Sequence, residues 1–202
     1  WTEVGDLNTA REKLAGAGIS TAALAIAGYN PSLSALNESW NGSAWTEVGD
    51  LNDAREKLTA AGTTSAALAY GGDTPGVTAN TETWNGSSWT EVSNLNTARK
   101  DLSGGGTSTS ALAVGGSNSP AYLAITESWD GSSWTEVNDL NTGRNSLAGD
   151  GSNNTDNLVS GGTTGSNSDA TEEWTAPATF RQLNVGDIYY NADPSSGVIK
   201  YV

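Results

Sequence analysis

The tetrapeptide Trp-Thr-Glu-Val begins at Trp1, Trp45, Trp89 and Trp134, at spacings of 44, 44 and 45 residues. A period in the mid-forties is the size of one four-stranded propeller blade or of one helical repeat pair, so few architectures remain. Aligned on that string, every unit carries a Leu-Asn pair, an Arg (Arg11, Arg55, Arg99, Arg144), a Gly/Ala stretch and an apolar run. Each then ends on a Trp (Trp40, Trp84, Trp129, Trp174). Four units fill residues 1–174.

Local chemistry chooses between the two architectures. The segment NTAREKLA at 8–15 opens like a capped helix, but glycines follow at once, and the third copy reads NTARKDLSGGG. Eight residues stopped by glycines cannot form a helix of a solenoid. The runs TSAALAYGG (64–72) and TSALAVGG (109–116) are short, apolar and closed by a Gly pair, and TETW and WTEV alternate at period 2, as strands do. Between the two Trp residues lie NGSA (41–44), NGSS (85–88) and DGSS (130–133). Asn-Gly and Asp-Gly accept the positive φ of tight turns, so Trp40/Trp45, Trp84/Trp89 and Trp129/Trp134 should flank hairpin loops and pack across the strand pair. The stretches AGAG, TAAG, SGGG and AGDG suit the innermost strand, where blades converge and bulky side chains would collide. The expected fold is all-β: a propeller of four visible blades.

Composition narrows the chemistry. The chain has 9 Lys+Arg against 23 Asp+Glu, a net charge of −14, and no His, Cys or Met. It therefore lacks an imidazole base, a thiolate nucleophile and the usual nitrogen and sulfur ligands of zinc, haem and iron–sulfur centres, and no cofactor is expected. The acidic excess without a basic cluster argues against nucleic acid as a partner. No run approaches the roughly 18 to 20 apolar residues of a membrane helix, so membrane insertion is not expected.

An Arg, an apolar strand ending in a Gly pair (Gly71-Gly72, Gly115-Gly116, Gly161-Gly162) and two aromatics ahead of the next unit resemble the kelch motif, which builds β-propellers. The units depart from it in three ways. Trp stands in place of Tyr at the first aromatic, the aromatic spacing is shorter, and the first unit has Ala27-Gly28 for the Gly pair. The version WNGSSWTEV…LNTAR more closely resembles kelch-like repeats of bacteriophage virion proteins, particularly of marine phages. The tail VGDIYYN…SSGVIKY resembles short β-hairpin modules of phage tail and fibre proteins. The domain reading is a kelch-like propeller over 1–174, followed over 175–202 by a linker and a C-terminal β-hairpin that acts as an assembly segment. The last unit lacks an outer strand and the chain begins with an unpartnered one, so Trp1–Val4 is expected to pair beside Thr171–Trp174 and close the ring. Four blades lie at the small end of the propeller range, and further blades upstream in a longer parent chain are the alternative.

The acidic positions Glu3, Glu47, Glu91 and Glu136, and Glu38, Glu82, Glu127 and Glu172, recur in every unit as scaffold residues do. A catalytic pair needs a unique geometry and one raised pKa. No catalytic residue is assigned. The four Arg residues suit structural ties, to loop carbonyls or to a repeat Glu. Asp150, Ser152, Asn154 and Asp156 alternate like the oxygen ligands of a calcium loop, but the sixth-position Gly and twelfth-position Glu are absent, so the segment is a weak metal candidate and no metal site is assigned. The units disagree between the Gly pair and the next Trp: YNPSLSALNES, DTPGVTANTET, SNSPAYLAITES and TTGSNSDATEE, the third with the single insertion behind the 45 spacing. Loops held on a rigid scaffold are where binding usually sits. The candidate ligand-binding residues are Tyr29 and Asn30 in the first loop and Asp73 in the second. Asn118, Pro120 and Tyr122 represent the third, and Asn167 the fourth.

The function expected from the resemblance is that of a non-enzymatic virion module on the phage particle surface or tail. Its divergent loops would meet a host-surface glycan or protein, or other virion proteins. Two rivals stay open: a purely structural subunit that contacts copies of itself, and a carbohydrate-active enzyme.

Overall fold

In the computed structural model, which describes residues 1–176 and the backbone of residues 188–190 and 199–201, the Gly/Ala stretches and apolar runs become strands, and no described residue is helical. Blade 1 comprises β1 (Ala15–Ile19), β2 (Ala22–Tyr29), β3 (Leu33–Trp40) and β4 (Trp45–Val48), paired antiparallel in that order. Blade 2 repeats it with β5 (Thr59–Gly62), β6 (Ala67–Tyr70), β7 (Thr81–Trp84) and β8 (Trp89–Glu91). Blade 3 has β9 (Ser103–Thr107), β10 (Ser110–Val114), β11 (Thr126–Trp129) and β12 (Trp134–Glu136). Blade 4 has three strands, β13 (Ala148–Asn153), β14 (Asp156–Ser160) and β15 (Thr171–Thr175). The four sheets stand around one axis as a four-blade β-propeller.

The Gly/Ala strands β1, β5, β9 and β13 line an axial channel of about 240 Å³. Their composition is a steric requirement: a Cβ on Gly105 would lie 2.4 Å from the backbone nitrogen of Gly151 on the neighbouring blade. At the rim, Asn41, Asn85 and Asp130 each accept backbone N–H bonds from the residues two and three ahead, at 2.8–3.0 Å. Those bonds pull the Asp130 carboxyl down to about 2. The turns set Trp40 opposite Trp45, Trp84 opposite Trp89 and Trp129 opposite Trp134, with ring centroids 5.3–5.4 Å apart. Ala27, which replaces the first Gly of the pair, adopts φ 59°, close to the 66° of Gly71 and 61° of Gly115. The first unit therefore keeps the backbone without the residue.

Successive blades interlock by unlike faces. Leu24 and Ile26 of blade 1 pack against Ala67, Ala69, Trp84 and Trp89 of blade 2. Leu68 and Tyr70 meet Ala111, Ala113, Trp129 and Trp134 of blade 3 in the same way, and Leu112 and Val114 meet Val159 and Trp174 of blade 4. Burying such side chains is worth about 1.5–3 kcal/mol each, so these three seams are the core.

The expected closing pair does not form. Trp1–Val4 is exposed and outside any sheet, and among the described residues β15 pairs with β14 alone. In blades 1 to 3 the outer strand is delivered by a four-residue turn from the strand it pairs with, whereas Trp1–Val4 precedes blade 1 in the chain and no turn joins it to β15. The outward face of blade 4 also carries Ser160 where the other blades have Ile26, Tyr70 or Val114. The C-terminal hairpin is present as β16 (Ile188–Tyr190) paired antiparallel with β17 (Ile199–Tyr201). The linker and the packing expected of this tail fall outside the described residues.

Candidate functional site

Topology sends the four divergent loops to one end of the propeller. Each connects the second and third strands of its blade, so all leave from the same rim, together with the segments that run from each outer strand to the next inner one. The Asn-Gly and Asp-Gly turns occupy the opposite rim.

The loops stand on a common foundation. The residue after each repeat Arg forms an antiparallel bridge with the start of a loop: Glu12 with Tyr29, Glu56 with Asp73, Lys100 with Ser117 and Asn145 with Thr163. Beneath them the guanidinium groups are fully buried. Arg55 donates to Glu82 at 3.0 Å and to the Asn80 carbonyl at 3.1 Å, and Arg99 donates to Glu127 and the Ala113 carbonyl. Arg11 pairs with Glu38, and Arg144 lies 3.0 Å from Glu172. The second oxygen of each carboxylate is taken by the Leu-Asn pair: Asn8, Asn52, Asn96 and Asn141 each donate a backbone N–H and a side-chain amide to it at 2.7–2.9 Å. Burial alone would raise the Glu38 carboxyl. Arg11 and the N–H groups of Asn8 and Thr9 outweigh it and hold the group below its ordinary range. Burial pulls Arg55 and Arg99 below theirs, against the attraction of Glu82 and Glu127. This set of recurring carboxylates is therefore built into the scaffold, while Glu3, Glu47, Glu91 and Glu136 lie exposed on outer-strand sequence.

Of the candidate residues, Asn30, Asn118, Pro120 and Asn167 are exposed, and Tyr122 is 41% exposed. Tyr122 lies over the loop of blade 4, within van der Waals reach of a Cβ at Gly165, so the structure brings the third loop against the one containing Asn167. Tyr29 and Asp73 are partly committed to the scaffold. Tyr29 is half-buried with Lys13 Nζ 4.9 Å from its ring centroid, and Asp73 forms an ion pair with Lys100. The metal-like run is not assembled as a ligand set. The Asn154 side chain turns into blade 3, donating to Ser128 Oγ and the Trp129 carbonyl and accepting from Ser110 Oγ, while Asp156 accepts from Ser152.

Sequence reasoning missed a second set at the same end of the axis. Lys13, Lys57, Asp101 and Ser146 occupy one repeat position, all at φ between 52° and 57°, and rim a hollow of about 190 Å³. Lys57 N–H donates to the Lys13 carbonyl, Asp101 to Lys57 and Ser146 to Asp101, at 2.8–3.0 Å. Burial raises the Asp101 carboxyl despite Lys57 and Lys100 nearby. The available signal was a position whose charge changes from unit to unit within an unchanged frame.

No protein-family model matches the chain, and no curated protein matches it.

Proposed function

We propose that the chain is a non-enzymatic, kelch-like module of a bacteriophage particle, carried on the virion surface or tail. There it presents its loops to a host-surface glycan or protein or to a neighbouring virion protein. The observation that carries this reading is the contrast between blades built on one repeated frame and four loops that differ in sequence on equivalent backbone bridges. Such an arrangement varies the contact surface without disturbing the fold that holds it. The phage assignment rests on the resemblance of WNGSSWTEV…LNTAR and of the tail. Exposed Tyr122 beside Pro120 and Asn118 supplies an aromatic platform flanked by an amide, a pairing suited to sugar rings and to protein surfaces. Weak single contacts would gain strength from multiple copies on one particle.

Two measurements test it. Antibody labelling should place the protein on intact particles, and the purified chain should bind whole cells of the strain that propagates them. The triple variant Asn118→Ala/Pro120→Ala/Tyr122→Ala should keep the melting temperature within a few degrees and lose most cell binding. Absence from particles, or binding indifferent to all four loops, would sink the reading. Release of sugars from host glycans would favour an enzyme instead.

A further inference from the structure

We infer that the Asn41-Gly42 and Asn85-Gly86 turns are self-modifying sites, where the folded chain promotes loss of ammonia from the asparagine side chain and leaves an acid in its place. In this chemistry the backbone nitrogen of the following residue gives up its proton to solvent and attacks Cγ. The N–Cγ bond forms, Oδ1 takes up the negative charge, and Nδ2 leaves as ammonia when the intermediate collapses to a cyclic imide. Water then opens the imide to aspartate or isoaspartate, so that amide plus water has become carboxylate plus ammonium. The step needs an unshielded nitrogen, access for solvent, and donors for the charge that develops on Oδ1.

Both turns supply all three. Gly42 and Gly86 have no side chain to shield the nitrogen, and neither N–H finds an acceptor among the described residues. Residues 41–44 and 85–88 are exposed, so solvent reaches the turn. Three donors meet on each Oδ1. Asn41 accepts from the N–H and Oγ of Ser43 at 2.9 Å and from the Ala44 N–H at 3.0 Å. Asn85 accepts from the N–H and Oγ of Ser87 at 2.9 Å and from the Ser88 N–H at 3.0 Å. Donors already aimed at the atom that becomes charged lower the barrier as an oxyanion hole does. Blade 3 shows what this cage prefers. Asp130 stands at the same position and accepts the same three bonds from Ser132 and Ser133 at 2.8–2.9 Å, with its carboxyl held down to about 2. The acid is therefore accommodated by the fold, and an ionised carboxylate resists renewed attack by the amide nitrogen. Asn153 provides the internal contrast. Its Oδ1 accepts from the N–H and Oγ of Thr155, but the next residue is Asn154, whose side chain crowds the nitrogen and whose N–H is engaged by Ser110 Oγ. Each conversion adds one negative charge to a chain at −14, on the rim opposite the divergent loops.

The test incubates the full chain, folded and urea-unfolded, in mildly alkaline buffer made with heavy-oxygen water, and weighs its proteolytic peptides over time. The peptides holding Asn41 and Asn85 should convert several-fold faster in the folded chain than in urea, each event taking up one heavy oxygen, while Asn153 stays intact. Ser43→Ala and Ser87→Ala each remove one donor from an exposed turn. They should slow conversion at their own site several-fold in the folded chain, leave the rate in urea unchanged, and leave the melting temperature within a few degrees. Three results would each overturn the proposal. One is a folded chain that converts no faster than the unfolded one. Another is a folded-state rate indifferent to both serine variants. The third is an Asn153 that converts as fast as Asn41 and Asn85.

Discussion

Arg55 and Asn157 are both buried polar residues in seams, and their prospects are opposite. Arg55 is paired, and removing it leaves the Glu82 carboxylate buried with one oxygen unanswered. Arg55→Ala should cost about 3–5 kcal/mol by chemical denaturation, and Arg55→Lys should rescue only part, since an ammonium cannot bond Glu82 and the Asn80 carbonyl in the same plane. Asn157 stands where blades 2 and 3 have Ala67 and Ala111, is 3% exposed, and finds no partner among the described residues for either end of its amide. Asn157→Ala should therefore raise stability by about 1–3 kcal/mol, read as a higher denaturation midpoint with an unchanged slope. The Arg–Glu pairing was legible because both residues recur at fixed positions. The bare amide was not, because exposure decides its meaning and a single Asn in a strand gives no sign of where it faces.

At the scale of one blade, the third loop shows how an insertion is absorbed. In this loop, which carries the extra residue, the Tyr122 carbonyl lies so close to the next connecting segment that a Cβ on Gly143 would be 2.5 Å from that oxygen. The same repeat position is Ala10, Ala54 and Ala98 in the other units, so the unit with the insertion is also the one with a glycine where that carbonyl leaves no room for a Cβ. Gly143→Ala should lower the melting temperature by several degrees, whereas Ala98→Gly should cost about 1 kcal/mol or less. Strands, turns and the glycine-rich axis could be read from the sequence because each has a compositional cause: period 2, Asn-Gly, or want of space. The axial chain through Lys13, Lys57, Asp101 and Ser146 could not. Non-glycine residues at positive φ are set there by hydrogen bonds from neighbouring blades, and no local residue preference announces them. The closing strand was misread for a related reason: WTEV marks an outer strand but does not say which sheet receives it.

Over the whole molecule, the ion pair at Glu38 links stability to acid. The Glu38 carboxyl titrates below its ordinary value in the folded chain. Its contribution to stability is therefore complete above that ordinary value, near pH 4.5, and is lost as pH falls through it toward the lowered one. The net charge of −14 adds self-repulsion near neutrality. Stability should be highest in the mildly acidic range and fall as the pH drops below about 4.5, and thermal melts across pH 3 to 8 will show whether it does.

The period of the sequence and the period of the fold are out of step by one strand: the WTEV that opens the second, third and fourth repeats completes the blade before it, and the rest of the repeat builds the blade after it. Copying or losing one repeat length of chain therefore adds or removes a full blade wherever the cut falls, because strand, seam and buried ion pair travel together in every such window. For an array of this kind, blade number is a quantity that unequal recombination can change without first finding a boundary.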